Sequence, residues 1–329
     1  MNAYQKYLIE EFVDEYHERH MSRRDLLRRA VLVMGSVPAA ATALIAAGCG
    51  GDDDDADEAT PSAAATTATQ AATTAAASPS ASATASAAAS PSAAASASAT
   101  LPAGVTATDV RFKGPASDLL GYLTVPAGNA KVPGILVIHE NRGLNEHTKD
   151  VARRFAAEGI SALAVDLVSR EGGSKADTAT NTGALGRARP EDFIADLKAY
   201  GAYLLEQPRT KAGGIGVVGY CFGGGYTFEA AIADPNVKAA VPYYGICRLI
   251  DQLATTKAAV LVMYGANDNR VTSQAEQVGA QLARTNQPYD VKIYPNANHA
   301  FFNDTGNNYN ADAAKDAWTL TLDWFRKYV

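Results

Sequence analysis

The feature that most constrains the fold of this chain is a glycine-rich turn built around a cysteine. Residues 219–225 read Gly-Tyr-Cys-Phe-Gly-Gly-Gly, and they follow a short apolar stretch at residues 215–218. A strand, a sharp turn and a helix in this order hold the central side chain above the end of a sheet, and flanking glycines let neighbouring chains pass closely. The pattern therefore predicts that Cys221 is a nucleophile and not a buried structural thiol. A helix N-terminus behind it would favour the thiolate.

From residue 105 onward the sequence alternates between strand and helix patterns, which is typical of a mostly parallel sheet with helices on both faces. The first two strands read as an antiparallel pair. Ligands in such sheets bind at the carboxyl ends of the strands, so the residues just after each strand are the candidates for chemistry. The predicted strands are 110–112, 119–125, 134–139, 161–167, 215–218, 239–244, 259–264 and 290–294, and the main predicted helices are 146–158, 192–206, 272–285 and 311–328.

Two further residues fall where a catalytic triad requires them. Asp268 follows the strand at 259–264, and His299 follows the last strand, within Asn-Ala-Asn-His-Ala-Phe at 296–301. The chain order of nucleophile, acid and histidine is that of the α/β-hydrolase fold, which is the fold class we predict. In this interpretation His299 accepts the proton of the thiol or of water, and Asp268 fixes the tautomer of the imidazole.

Together these motifs resemble the dienelactone hydrolase family, the carboxymethylenebutenolidases. The resemblance rests on the cysteine turn, on the contexts of the acid and the histidine, on His-Glu-Asn-Arg-Gly-Leu at 139–144 and on Tyr-Tyr-Gly at 243–245. It covers nearly all of residues 105–329. A cysteine at the nucleophile position separates this family from most serine esterases.

The resemblance implies roles for four more residues. Glu140 would take the thiol proton when substrate binds. The backbone N–H groups of Phe222 and Asn141 would form an oxyanion hole. Arg170 would hold a carboxylate of the substrate, for which an arginine fork has the right geometry.

One position departs from the family pattern. The second carboxylate-binding arginine of the family is replaced here by Asn303, four residues after His299. The loss weakens the case for an anionic dienelactone as substrate. Arg142 either compensates, because it lies beside the site in sequence, or has a surface role.

We therefore expect a hydrolase that opens a small-molecule lactone or ester through a thioester intermediate, with no metal or cofactor. A general carboxylesterase of the same fold, acting on neutral esters, is the nearest alternative. A non-catalytic envelope lipoprotein that uses the fold for binding is the alternative from another class. Nucleic-acid binding is not expected, because the formal net charge is −6 and the folded part has no basic stripe.

The N-terminus has the features of an export signal, which we assign to residues 1–49. Residues 22–27 read Ser-Arg-Arg-Asp-Leu-Leu, an apolar stretch follows at 30–47, and Ala-Ala-Gly then precedes Cys49. Paired arginines indicate the Tat export machinery, and the cysteine context resembles a lipobox. The pattern predicts an exported protein at the outer face of the cytoplasmic membrane or in the periplasm or extracellular space. Cys49 is lipidated in one interpretation, and the signal is simply cleaved in the other.

The segment at 50–104 is almost entirely alanine, serine, threonine and other small residues, so we predict a disordered linker. Residues 1–20 have mixed charge and a helical pattern, unlike a short basic leader, so translation starts at Met1 or at Met21. Residues 171–190 form either a lid or a loop. Cys247 has no assigned role beyond that of a buried thiol, and the oligomeric state is open.

Overall fold

The computed structural model describes residues 1, 3–17, 21–49 and 101–329. The predicted linker therefore lies outside the described residues, except for its last four positions. A mostly parallel sheet of eight strands dominates the C-terminal part. The strands are β1 (Val105–Lys113), β2 (Asp118–Pro126), β3 (Gly134–Ile138), β4 (Ser161–Val165), β5 (Ile215–Tyr220), β6 (Val237–Tyr243), β7 (Ala259–Gly265) and β8 (Tyr289–Tyr294).

The order of the strands across the sheet is β1-β2-β4-β3-β5-β6-β7-β8. β1 pairs antiparallel with β2, and β2 pairs antiparallel with β4, whereas every pair from β4 to β8 is parallel. The predicted α/β fold and its antiparallel start are thus confirmed. The carboxyl ends of β3, β5, β7 and β8 meet at one edge of the sheet, and each is followed by a predicted site residue.

Ten helices lie within the described residues. They are α1 (Ala3–His17), α2 (Arg23–Met34), α3 (Val37–Ala46), α4 (Glu146–Ala157), α5 (Thr178–Arg187), α6 (Pro190–Glu206), α7 (Phe222–Ala233), α8 (Asn269–Thr272), α9 (Ala275–Leu282) and α10 (Ala311–Tyr328). Short 3₁₀ helices occupy Ser169–Glu171 and Ile250–Thr255.

Two sequence expectations differ from the observed helices. The single helix predicted at 272–285 is divided into α8 and α9. Its start lies earlier because the side chain of Asp268 caps α8, accepting a hydrogen bond from the backbone N–H of Val271. Residues 171–190 are not a plain loop, since they contain α5.

The core lies on both faces of the central strands, which are buried along their whole length. Phe155 of α4 packs against Phe325 of α10, and Phe193 of α6 packs against Tyr226 of α7. These two helix pairs cover the sheet and leave its carboxyl edge accessible for a site.

The N-terminal helices α1 to α3 fold back onto the hydrolase region and share its hydrophobic cluster. In α1 the buried apolar side chains are Tyr7, Leu8, Ile9, Phe12 and Val13. These side chains pack against α5, among other elements. The contact is close at Gly186, where an added Cβ atom would lie 3.2 Å from Cδ1 of Leu8. Residues 171–190, for which the sequence left a lid or a loop open, thus have α1 packed against their helix.

Among the described residues, only α2 and α3 come close to the length and apolar composition of a membrane-spanning helix. Neither helix is long and apolar enough alone, and the two together satisfy length and composition but meet at a bend of 110°.

Candidate active site

Cys221 occupies a sharp turn between β5 and α7. Its backbone has φ 56° and ψ −115°, a conformation that a side-chain-bearing residue rarely adopts. A Cβ atom at Gly219 would overlap the carbonyl group of Gly223, and one at Gly223 would lie 2.5 Å from the carbonyl oxygen of Ile138. Both glycines are required for the turn, which is the predicted nucleophile elbow.

The predicted acid and base lie beside this turn. Nδ1 of His299 is 2.6 Å from Oδ2 of Asp268, and both side chains are largely buried. The Cys221 sulfur, a ring nitrogen of His299 and a carboxylate oxygen of Glu11 lie within 4.8 Å of one another. The fold therefore brings together all three residues that the sequence predicted as a triad.

Glu140 follows β3 and lines the same cleft. Its Oε2 accepts a hydrogen bond of 2.9 Å from Nδ2 of Asn303, and its Oε1 has no hydrogen-bond partner among the described residues. The neighbouring His139 holds the main chain in place, because Nδ1 donates to the carbonyl of Glu140 at 2.6 Å while Nε2 accepts from the N–H of Leu167. Asn303, the position that departs from the family pattern, thus orients the predicted proton acceptor.

The two residues predicted to form the oxyanion hole lie beside the elbow. Phe222 is the first residue of α7, and Asn141 is buried in the wall of the cleft. The carbonyl oxygen of Asn141 accepts a hydrogen bond of 2.8 Å from Oγ1 of Thr182 in α5. Helix α5 is therefore attached directly to this wall, and the oxyanion role stays a prediction.

The structure does not place Arg170 in the cleft. Its guanidinium makes two hydrogen bonds of 2.8 Å to the buried carboxylate of Asp196 and an ion pair of 3.0 Å with Asp192. The 3₁₀ turn after β4 directs the side chain towards α6, where these aspartates take up its donors. The expected contact of Arg170 with the substrate is therefore corrected to a structural ion pair in this conformation.

The cleft has a volume of about 430 Å³ and a wall that is mostly polar. Two arginines lie in this wall: Arg142, which the sequence analysis considered, and Arg270, which it missed. A signal for Arg270 was present, because it lies two positions after the predicted acid. Amide side chains complete the rim, at Asn267, Asn269, Asn303, Asn307 and Asn308.

Helix α1 contributes side chains to the cleft that the sequence did not indicate. The Tyr7 hydroxyl lies 3.3 Å from the Cys221 sulfur, and the Cys221 thiol donates a hydrogen bond of 3.2 Å to Oε1 of Glu11. The same Oε1 is 3.3 Å from Nε2 of His299, and Oε2 accepts a hydrogen bond of 2.6 Å from Arg270. Glu11 therefore contacts the predicted nucleophile, the predicted base and a cation of the wall.

The charges in the cleft follow from these contacts. Burial raises the pKa of the Cys221 thiol to about 11, and the carboxylate of Glu11 adds to the effect. Burial alone would lower the pKa of His299, but Glu11 and Asp268 together raise it well above its ordinary value. The contacts of this conformation therefore favour a neutral thiol at Cys221, against the expected thiolate, and a protonated imidazole at His299.

The donor atoms of Glu11, Cys221 and His299 are close enough together to hold a metal ion. In this structure the thiol donates to the carboxylate, which also lies 3.3 Å from the imidazole. The expectation that the reaction needs neither metal nor cofactor stays a prediction.

Comparison with known proteins identifies the family to which this chain belongs. The profile of the dienelactone hydrolase family matches residues 119–329. The chain belongs to the dienelactone hydrolase family. The match begins in β2 and includes every predicted site residue of the hydrolase region.

Relatives in other organisms support this assignment. A protein of Methylorubrum extorquens, provisionally named a carboxymethylenebutenolidase, is 32% identical over 68% of this chain and 82% of its own length. A protein of Salmonella typhimurium with the same provisional name is 30% identical over 69% of this chain and 88% of its own. Family and relatives make this member of the dienelactone hydrolase family an enzyme that hydrolyses esters or lactones.

Solved structures agree in fold. A dienelactone hydrolase homologue from Klebsiella pneumoniae superposes with a TM-score of 0.63 at 27% identity, covering 68% of this chain and 99% of its own. A dienelactone hydrolase-like promiscuous phosphotriesterase from metagenomic libraries reaches 0.60 at 26% identity over the same shares of each chain. The hydrolase region thus corresponds to chains that fold without an N-terminal extension of this kind.

Proposed function

We propose that this chain hydrolyses lactones or esters with Cys221 as nucleophile, through a thioester intermediate. The observation that carries the proposal is the hydrogen bond of 2.6 Å between Asp268 and His299, which turns the other ring nitrogen towards the cysteine elbow. A histidine held in this way is the general base and acid of acyl transfer.

The first half of the reaction acylates the cysteine. Glu140 takes the proton of the Cys221 thiol when the substrate enters, and the sulfur forms a bond to the substrate carbonyl carbon. The carbonyl oxygen becomes an oxyanion that accepts hydrogen bonds from the N–H groups of Phe222 and Asn141. The carbon–oxygen bond of the ester then breaks, and the protonated His299 gives its proton to the departing alkoxide.

The second half releases the acid. The imidazole of His299, now neutral, takes a proton from a water molecule, whose oxygen attacks the thioester carbonyl. The carbon–sulfur bond breaks, Glu140 returns the proton that it took to the Cys221 sulfur, and His299 keeps the proton from water, so that all three groups regain their starting protonation. For a lactone the two products remain one molecule, a hydroxy acid.

The charge of the substrate separates two versions of this function. Asn303 in place of arginine, together with the engagement of Arg170 by aspartates, supports a general carboxylesterase for neutral esters. Arg142 and Arg270 in the wall support a carboxylate-bearing lactone instead. A non-catalytic binding protein of the envelope, the third candidate, would not need the pairing of His299 with Asp268.

A paired hydrolysis assay tests the function. The protein is residues 101–329, a region that corresponds to almost the whole of free-standing solved relatives. The substrates are a dienelactone and a neutral aryl acetate. We expect turnover that disappears in Cys221→Ala and persists in Cys247→Ala, a second buried thiol. Turnover of only the aryl acetate would favour the general esterase, and turnover that survives in Cys221→Ala would sink the cysteine mechanism.

We also propose export by the Tat route, with lipidation at Cys49 and residence at the outer face of the membrane. Arg23 and Arg24 are exposed at the start of α2, where an export receptor could reach them, and Cys49 follows the end of α3. The test is expression of the full chain beside the Arg23→Lys/Arg24→Lys and Cys49→Ala variants. The Arg23→Lys/Arg24→Lys variant should no longer be exported. The Cys49→Ala variant should still be exported but should no longer associate with the membrane. Unchanged behaviour in both would contradict the proposal.

A further inference from the structure

We propose that Arg142 and Arg270 form the carboxylate-binding site of the cleft, and that helix α1 occupies it as an internal acidic ligand that keeps the chain inactive. The substrate class follows, since the same site would take an ester or lactone that carries a carboxylate. The substrate part rests on the proposed function, whereas occupation of the site by α1 does not.

The contacts of α1 have the pattern of a bound ligand. Glu11 is nearly fully buried and places one carboxylate oxygen on Arg270 at 2.6 Å and the other on the Cys221 thiol at 3.2 Å. One turn later, Glu15 pairs with Arg142 at 3.4 Å through one oxygen and with Arg29 of α2 at 2.9 Å through the other. Two carboxylates at a spacing of four residues thus meet the two arginines of the wall.

Apolar packing holds these acids in place. The guanidinium of Arg270 lies over the ring of Tyr7, 4.9 Å from its centroid, while Leu8 packs on α5. Five apolar side chains of α1 are buried, and the loss of their contact with water stabilises the docked helix. Non-covalent packing alone therefore holds the helix in the cleft.

The composition of α1 gives a second, independent argument. A leader that precedes twin arginines is usually basic. This helix instead carries Glu10, Glu11, Asp14 and Glu15 against a single lysine, Lys6. An acidic segment suits a basic site and not an export receptor that reads arginines.

The chemistry of the bound state is that of an inactive enzyme. The Tyr7 hydroxyl and the carboxylate of Glu11 contact the sulfur on which a substrate carbonyl would have to sit. The same carboxylate lies 3.3 Å from Nε2 of His299, so it stands between the thiol and the imidazole. Departure of α1 vacates the cleft and leaves both groups open to a substrate.

The test compares the full chain with a chain that begins at Met21 and lacks α1. Cys221 alkylation by iodoacetamide is measured by peptide mass spectrometry on protein purified from the cytoplasm, before export, with the partly exposed Cys49 of the same molecule as internal reference. We expect alkylation at least 10-fold faster without α1, and protection by an added peptide of residues 3–17. The same peptide with Glu11→Gln should protect at least 10-fold less well, whereas Glu10→Gln should protect fully.

Variants of the arginines test the site itself. In the chain from Met21, Arg142→Gln and Arg270→Gln should each weaken peptide protection at least 10-fold and raise KM for a carboxylate-bearing lactone, with KM for a neutral aryl acetate unchanged. Arg284→Gln, an exposed arginine after α9, is the control.

Equal alkylation of the two chains, or equal protection by the Glu11→Gln peptide, would overturn the proposal. Protection without hydrolysis by either chain would leave α1 as the ligand of the site and refute the enzymatic function instead.

Discussion

The Cys221 thiol donates a hydrogen bond of 3.2 Å to Glu11, across 210 residues of sequence. The carboxylate accepts from the thiol and at the same time lies 3.3 Å from Nε2 of His299. A negative charge at this point opposes formation of a thiolate and favours an imidazolium. The titration of the Cys221 thiol in the full chain therefore depends on a residue of the N-terminal helix.

The first prediction concerns the pH profile of Cys221 in the full chain. Removal of the charge in Glu11→Gln lowers the pKa of the thiol, because the carboxylate is among the causes that raise it to about 11. The midpoint of the alkylation rate against pH should therefore move to lower pH. Glu10→Gln, on the same helix but paired with Lys6, should leave the profile in place. Superimposable profiles for wild type and Glu11→Gln would contradict the assignment.

The second prediction concerns the acid of the triad. Asp268→Asn keeps the shape of the side chain but removes the charge that fixes the tautomer of His299. In the protein from Met21, kcat should fall by about 10³–10⁴ while the protein stays folded. The exposed Asp323→Asn should have no effect. A fall of less than tenfold in steady-state kinetics would mean that Asp268 is only a helix cap.

The third prediction concerns Asn303. Its Nδ2 is the hydrogen-bond donor to Glu140 at 2.9 Å, so Asn303→Ala leaves a buried carboxylate without its partner. We expect a loss of about 1–3 kcal/mol in the free energy of unfolding and a drop in the acylation rate. Asn303→Gln, which keeps the donor, should recover part of that rate. Acylation rates that do not change in single-turnover experiments would separate Asn303 from the function of Glu140.

The fourth prediction concerns Arg170, whose guanidinium is engaged by Asp196 and Asp192. Arg170→Ala should lower the free energy of unfolding by about 2 kcal/mol, because a buried carboxylate loses its cation while the arginine itself is partly exposed. Arg189→Ala, which removes the exposed partner of Asp192, should cost less than about 0.5 kcal/mol. Denaturant titration measures both. An unchanged stability with a raised KM would restore Arg170 as a substrate contact.

The fold of the hydrolase region and the positions of its site residues could be predicted from sequence, because the motifs that indicate them are local. The elbow needs glycine at 219 and 223 for close backbone approach, and Asp268 and His299 come directly after strands. Strand order then brings residues at the ends of β5, β7 and β8 to one edge. Periodicity and turn chemistry were therefore enough to predict that these three residues lie together.

The parts that sequence reasoning missed depend on contacts between distant segments. The pattern of residues 1–20 predicts a helix, and α1 is one, but nothing local shows that Glu11 reaches Arg270. The resemblance placed Arg170 at the substrate, whereas the aspartates of α6 that engage it could be recognised only in three dimensions. The pKa of the Cys221 thiol depends on distant contacts as well, since burial and Glu11 raise it against the expected thiolate.

The central claim is that Cys221 carries the acyl group during turnover. The most direct measurement is rapid-quench mass spectrometry of the protein from Met21 after mixing with an aryl ester, with peptide mapping of the modified residue. In His299→Asn, which cannot activate water, we predict that one acyl group accumulates on Cys221 and on neither Cys49 nor Cys247. Hydrolysis of the ester with no acyl group on Cys221, in either the wild type or the variant, would contradict the account.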